Sequence, residues 1–231
     1  MTVEANGREV AVHRVHVAFT AGLVLCALLA LGGCADSASR SPSELAPSEV
    51  LEYQGERLDS IDDFRENSIK GPQQVDMTSY RMGVTGEVSS PLLLTYDEVV
   101  NRNTFQKLVR LNCVEGWSVD ILWEGVLIRD LLEQAGYAPD AKVVIFRCAD
   151  GYSTSLPLDY VLEREILLAY KMNDVALPEE RGYPFQVVAE DKLGYKWAKW
   201  VTEIEVSDDA SFEGYWEQRG YDNDADVRPT E

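Results

Sequence analysis

Arg110-Leu111-Asn112-Cys113-Val114-Glu115-Gly116-Trp117-Ser118, followed by Leu122-Trp123-Glu124-Gly125-Val126-Leu127, is the stretch on which the reading of this chain turns. It sets a cysteine at the end of an apolar strand with a glycine-containing turn directly after it. That arrangement can present a sulfur at a sheet edge, where a thiolate is a good ligand for a soft metal. The rest of the sequence narrows what such a sulfur can do. No histidine follows His16, and neither Cys-x-x-Cys nor His-Glu-x-x-His occurs. This argues against an ordinary zinc site, leaves the folded part no haem-ligating histidine, and excludes a Ser-His-Asp or Cys-His triad. Chemistry must then come from a cofactor or a carboxylate.

On either side of this stretch, from about Leu51 to Val206, short strand-like runs alternate with short helical ones. Thr95-Tyr96-Asp97-Glu98 has the form of a capping box and predicts a helix start. Leu127, Ile128, Leu131 and Leu132 share one helical face, and Gly136 stands where that helix should stop. Val143 to Phe146 suits a buried strand, and Gly151-Tyr152 a turn. Pro157-Leu158-Asp159 opens a short helix running to about Glu165. Phe185 to Ala189 reads as a strand, as does Trp200 to Val206, where Glu203 and Glu205 give a wet face. With no sustained βαβ rhythm and no glycine fingerprint, the pattern predicts an α+β fold.

The N-terminus has a different character. Arg8, His13, Arg14 and His16 precede an uncharged run from Val17 to Leu31, and Leu31-Gly32-Gly33-Cys34 follows. The run is shorter than the ~20 residues that span a bilayer core, so residues 1–33 read as a signal peptide. The Leu-Gly-Gly-Cys ending resembles a bacterial lipobox, which makes Cys34 the expected lipidated N-terminus. No twin-arginine pair occurs, so general secretion is expected. Residues 34–50, rich in Ser, Ala and Pro, read as a flexible tether, and 51–207 as the folded domain. The acidic tail, 208–231, carries Phe212, Tyr215, Trp216 and Tyr221; the aromatics are expected to pin part of it to the domain, and the last ten residues to be disordered.

Cleavage before Cys34 removes Arg8 and Arg14 together with Glu4 and Glu9, so the net charge stays at −19. So acidic a surface disfavours nucleic acid as a partner. Two cysteines, Cys113 and Cys148, remain in the domain. In an oxidising compartment they also suit one structural disulfide, and that reading stands beside the ligand reading.

The 111–118 run, Trp123 to Leu127, and Gly194-Tyr195-Lys196-Trp197-Ala198-Lys199-Trp200-Val201 together resemble the molybdopterin-binding domain of the sulfite oxidase family, with the periplasmic methionine sulfoxide reductase catalytic subunits as the nearest branch. The likeness covers about Ile61 to Val206. It implies mixed sheets with short helices, and a molybdenum-molybdopterin cofactor whose metal takes one protein sulfur, at Cys113. It also implies that Lys199, with the backbone at Trp197 and Ala198, holds the cofactor's phosphate. Asp62-Asp63-Phe64-Arg65-Glu66-Asn67 is similar to a segment that contacts the pterin, which places Arg65 and Glu66 as contacts. In that segment two of the family's asparagines are Asp62 and Asp63, and elsewhere three positions depart from the family pattern: Cys148 stands where the family has threonine, Arg181 replaces an asparagine, and Gln186 replaces an arginine. Cys148 and Arg181 are accordingly counted among the cofactor-binding candidates.

The function implied is two-electron oxygen-atom transfer to or from a small-molecule substrate, on the outer face of the cytoplasmic membrane. Electrons would pass through a membrane haem or quinone-linked partner. The rival class is a cofactor-free binding or scaffold lipoprotein that keeps the same fold.

Overall fold

Alternation of buried and wet side chains builds two sheets against one core. The computed structural model describes His13–Arg14 and residues 48–228. In chain order the strands are β1 (His13–Arg14), β2 (Glu52–Tyr53), β3 (Glu56–Arg57), β4 (Met82–Gly86), β5 (Leu92–Leu94), β6 (Phe105–Asn112), β7 (Ser118–Leu127), β8 (Val143–Cys148), β9 (Ser153–Pro157), β10 (Leu167–Met172), β11 (Val175–Ala176), β12 (Gln186–Val188) and β13 (Val201–Ser207). Among the described residues the helices are α1 (Tyr96–Val100), α2 (Ile128–Ala135) and α3 (Leu158–Glu163).

One sheet runs β1-β6-β7-β10-β11, with β12 also paired to β10. The other runs β5-β4-β13-β8-β9; β13 is parallel to β4 and antiparallel to β8. Mixed sheets with short helices are the α+β architecture expected. Val84, Phe146 and Ile204 from one sheet meet Ile121, Trp123 and Leu168 from the other in a common core, each less than 1% exposed. Cys34, most of the signal peptide and the tether up to residue 47 lie outside the described residues. Among the described residues no helix is long and apolar enough to cross a membrane.

Several local expectations are met for the reasons that predicted them. Thr95 caps α1, accepting from the Glu98 amide while the Glu98 carboxylate accepts from the Thr95 amide. Gly136 ends α2 in the left-handed region at φ 69°, and a Cβ there would come within 2.3 Å of Ser89 Oγ. Leu127 differs: it is the last residue of β7 and caps α2, so the helix's buried face begins at Ile128.

Trp200 departs more sharply. It lies outside β13 in the left-handed region, at φ 52°, with its indole N–H donating to the Glu179 carbonyl at 2.7 Å. The irregular register between Val201 and Glu203 against β8 then lets Val201 and Ile204 both point inward. The segment after Val206 is also more ordered than its composition predicts. The amides of Leu193 and Val227 donate to the carbonyls of Ala225 and Asp191 at 2.8 and 2.9 Å, and Ala225 is 1% exposed. Backbone pairing and one small buried side chain hold residues that the acidic composition assigned to disorder.

Candidate active site

Cys113 sits at the tip of the long β6–β7 hairpin. The pairing ends at Asn112 opposite Ser118, and a tight turn follows. In it the Cys113 amide donates to the Trp117 carbonyl at 2.9 Å, and the Gly116 amide to the Cys113 carbonyl at 3.1 Å. Gly116 adopts φ 87°, a region that costs a Cβ-bearing residue, which is why glycine stands here. Partial burial pushes the Cys113 thiol up and the neighbouring Glu115 carboxylate adds to this, while the Glu115 and Val114 amides, hydrogen-bonded to the sulfur, pull the other way.

The sulfur faces a cavity of about 240 Å3 that opens between the two sheets and the connecting loops. One wall is cationic. Arg181 donates to the carbonyls of Ile61 at 3.1 Å and Phe64 at 2.5 Å, with its guanidinium 3.9 Å from the centre of the Phe64 ring. Arg181 thereby fixes the loop that carries Arg65 and Ser68 into the cavity lining. Lys199 Nζ lies 2.7 Å from Glu66 and 3.3 Å from the Glu180 carbonyl. Burial draws its pKa down, and Glu66 opposes that shift. Arg65 lines the same cavity and makes no ion pair among the described residues.

Another part of the lining is aromatic, a wall built by Tyr152, Tyr195, Trp216 and Tyr221. The Tyr152 hydroxyl donates to the Tyr195 carbonyl, and the Tyr195 and Tyr221 rings meet edge-on at 5.2 Å. Asp150, 2% exposed, accepts from the Tyr152 amide at 2.9 Å and also reaches the lining.

Of the predicted site residues, Arg65, Cys113, Arg181, Trp197 and Lys199 converge on this one cavity. Glu66 reaches it only through Lys199. Cys148 and Ala198 lie behind the wall, 7% and 0% exposed. Cys148 shapes the site through its backbone: its amide donates to the Tyr152 carbonyl and its carbonyl accepts from Gly151, which forms the turn bearing Asp150. The amides of Trp197 and Ala198 were expected to point freely at a phosphate. They donate instead to the carbonyls of Gly194 and Lys196, closing a tight turn. Cys113 and Cys148 are both free thiols, so the disulfide alternative is not realised.

Sequence reasoning missed Ser68, Asp150, Tyr152 and Tyr195 as lining residues. For Tyr152 the sequence carries a signal, since a ring directly after the Gly151 turn stands where a loop meets the end of a strand. Lys196, in the Gly194–Val201 run, does not line the cavity. It is completely buried, paired at 2.6 Å with the equally buried Glu217, and donates to the Ser155 carbonyl at 3.0 Å and to Asn223 Oδ1 at 2.9 Å. This pair ties the C-terminal segment, and with it Trp216 and Tyr221, to the cavity wall.

The residues present fit a flat, phosphate-bearing cofactor. Ser68 Oγ is buried at the cavity with no hydrogen-bond partner among the described residues, a cost that a polar ligand group would relieve. Arg65 and Lys199 supply positive charge, and Cys113 a soft donor. Among the described residues no group of three or more His, Cys, Asp or Glu could hold a metal ion. A metal at Cys113 therefore needs most of its ligands from the cofactor.

Comparison with known proteins agrees with this chemistry. Residues 69–216 match the family described as oxidoreductase molybdopterin binding domain. The chain is similar to the uncharacterized oxidoreductase YuiH of Bacillus subtilis, 36% identical over 65% of this chain and 76% of that one. It is also similar to the protein-methionine-sulfoxide reductase catalytic subunit MsrP of Xanthomonas campestris, 29% identical over 58% of this chain and 47% of the relative. Among solved structures, the sulfane dehydrogenase SoxCD of Paracoccus pantotrophus shares the fold, with a TM-score of 0.60 and 22% identity over 77% of this chain and 50% of that one. The chain thus spans about half the length of the last two.

Proposed function

We propose that this chain, which belongs to the oxidoreductase molybdopterin binding domain family, performs two-electron oxygen-atom transfer on a small-molecule substrate while lipid-anchored through Cys34 to the outer face of the cytoplasmic membrane. The observation that carries the reading is Cys113 at a hairpin tip, facing a cavity that also holds an unpartnered buried hydroxyl and three cationic side chains. When bound, the molybdenum cofactor supplies the redox chemistry, and the protein supplies binding and orientation.

Each residue then has a definable task. Cys113 offers its sulfur to the metal. Lys199 and Arg65 would offset the charge of the phosphate, and Ser68 would donate a hydrogen bond to a polar group of the bound cofactor. Arg181 holds the Ile61–Phe64 backbone so that Arg65 and Ser68 stay in place. The Tyr152–Tyr195 hydrogen bond fixes one part of the aromatic wall of the cavity. The location rests on the leader and its Leu-Gly-Gly-Cys ending. A membrane haem or quinone-linked partner would pass the electrons, since the folded domain offers no histidine to ligate a haem itself. The relative named as a methionine sulfoxide reductase makes sulfoxides the first substrates to assay.

The deciding experiment is molybdenum analysis of the full chain matured in a molybdenum-replete host. Near-stoichiometric metal is expected. Folded protein without molybdenum would overturn the reading in favour of a cofactor-free binding lipoprotein. The same measurement tests the phosphate anchor. Lys199→Ala should weaken cofactor retention by about 1.5–3 kcal/mol, the usual worth of a hydrogen bond to a charged group. Lys199→Glu should lower it further, since it sets a second carboxylate beside Glu66. Equal molybdenum content in wild type and Lys199→Glu would place the phosphate elsewhere, with Arg65 the next candidate.

A further inference from the structure

The proposed function gives Cys113, the cationic wall and the Tyr152–Tyr195 hydrogen bond a role but leaves Trp216 and Tyr221 without one. Trp216 and Tyr221 come from the C-terminal segment, yet both line the cavity that Cys113 faces. Their rings pack on each other at 5.1 Å, and Tyr215 meets Trp216 edge-on at 5.2 Å. A segment needed only for stability would turn these rings into the core. Here Tyr221 stays 40% exposed, and Val114, beside the cysteine in the same lining, stays 47% exposed. Two of the four large apolar side chains most exposed among the described residues therefore belong to one cavity lining.

The charges of the lining point the same way. Arg65, Arg181 and Lys199 are matched in number by Glu115, Asp150 and Glu180. Two of those cations are already engaged, Arg181 by backbone carbonyls and Lys199 by Glu66. A bound phosphate would draw further on the cations. No surplus positive charge remains to attract an inorganic oxyanion, and the negative faces of aromatic rings disfavour anions while they accept methyl, aryl and cationic groups.

We propose that Trp216 and Tyr221 are specificity-determining residues, forming an aromatic entrance wall that selects uncharged or cationic organic oxides, or their reduced counterparts, over inorganic oxyanions. The inference rests on the proposed function for its reaction, whereas the binding preference stands on the wall itself. The probe is methyl phenyl sulfoxide, with sulfite as the oxyanion. Reduction is balanced as sulfoxide plus two electrons and two protons giving methyl phenyl sulfide and water, with two equivalents of reduced viologen supplying the electrons.

Two measurements on the full chain separate this inference from the one beneath it. In molybdenum-loaded protein, Trp216→Ala and Tyr221→Ala should each raise KM for methyl phenyl sulfoxide by roughly tenfold or more with kcat and molybdenum content held, because they remove aromatic contact but no charge. Tyr221→Phe, which keeps the ring, should restore the wild-type KM. In equilibrium titrations, which need no turnover, the wild-type chain should bind methyl phenyl sulfoxide in preference to sulfite, and both alanine variants should lose that preference by a similar factor. Absence of molybdenum, with this binding pattern intact, would sink the oxygen-transfer reading and leave the aromatic wall standing. Wild-type affinity in the alanine variants, or sulfite binding that exceeds sulfoxide binding, overturns the assignment of Trp216 and Tyr221.

Discussion

Replacing Cys113 with serine is expected to abolish oxygen-atom transfer while the fold survives almost unchanged. The turn that carries the residue is held by main-chain groups: the Cys113 amide to the Trp117 carbonyl, and the Gly116 amide to the Cys113 carbonyl. Neither depends on the side chain. The thiol is free and only partly buried, so its loss breaks no disulfide and opens no core cavity. Stability should therefore stay within about 0.5 kcal/mol of the parent. The metal, by contrast, would lose a soft sulfur donor and be offered a harder oxygen with different electronics. Groups that merely orient a metal ligand cost ~10–100-fold when removed, so the ligand itself should cost more than ~100-fold in turnover. The check is turnover with a reduced viologen and methyl phenyl sulfoxide, beside molybdenum content and a urea unfolding midpoint. Full turnover in Cys113→Ser removes the sulfur from the metal. A fall of 2–5 kcal/mol in stability, as for a lost disulfide, would show instead that Cys113 pairs covalently in the isolated protein.

Which features could be read in advance follows from how far apart in the chain their causes lie. The Thr95–Glu98 capping box, the Gly136 stop and the Cys113 turn are written within a few residues each, and all three form. The wet face of β13 is equally local, and Glu203 and Glu205 do lie at the half-exposed positions. Trp200 escapes such a reading because its left-handed backbone is set by neighbours distant in sequence, the Glu179 carbonyl that accepts from its indole and the Ala149 amide that donates to its carbonyl. The site divides along the same line. Cys113 announced itself through the residues beside it, whereas Ser68 and Asp150 acquire meaning only when loops far apart in the chain converge. Charge misled most. Lys192, Lys196 and Lys199 look alike in sequence, yet Lys192 reaches Asp226, Lys196 is sealed against Glu217, and Lys199 faces the cavity with Glu66.

Lys196→Met is expected to be the most destabilising single change in the C-terminal half. Both members of the Lys196–Glu217 pair are completely buried, and the ammonium makes three hydrogen bonds, to Glu217, the Ser155 carbonyl and Asn223. Burial draws the lysine's pKa down, and Glu217 opposes that shift most strongly. Methionine fills much of the same volume, but it leaves the Glu217 carboxylate sealed from water with only Thr154 Oγ1 donating to it, at 2.6 Å. Breaking a buried pair from one side costs about 3–5 kcal/mol, a large part of the 5–15 kcal/mol that typically separates folded from unfolded chains. Replacing both partners removes the stranded charge, so Lys196→Met combined with Glu217→Leu should recover most of the loss. The recovery should be incomplete, because Thr154, the Ser155 carbonyl and Asn223 lose their charged partners. Urea unfolding of wild type, the two single variants and the double variant measures the coupling as a double-mutant cycle. A single variant within about 0.5 kcal/mol of the parent, or a double variant no more stable than Lys196→Met, would show that the C-terminal segment is held by its aromatic contacts alone.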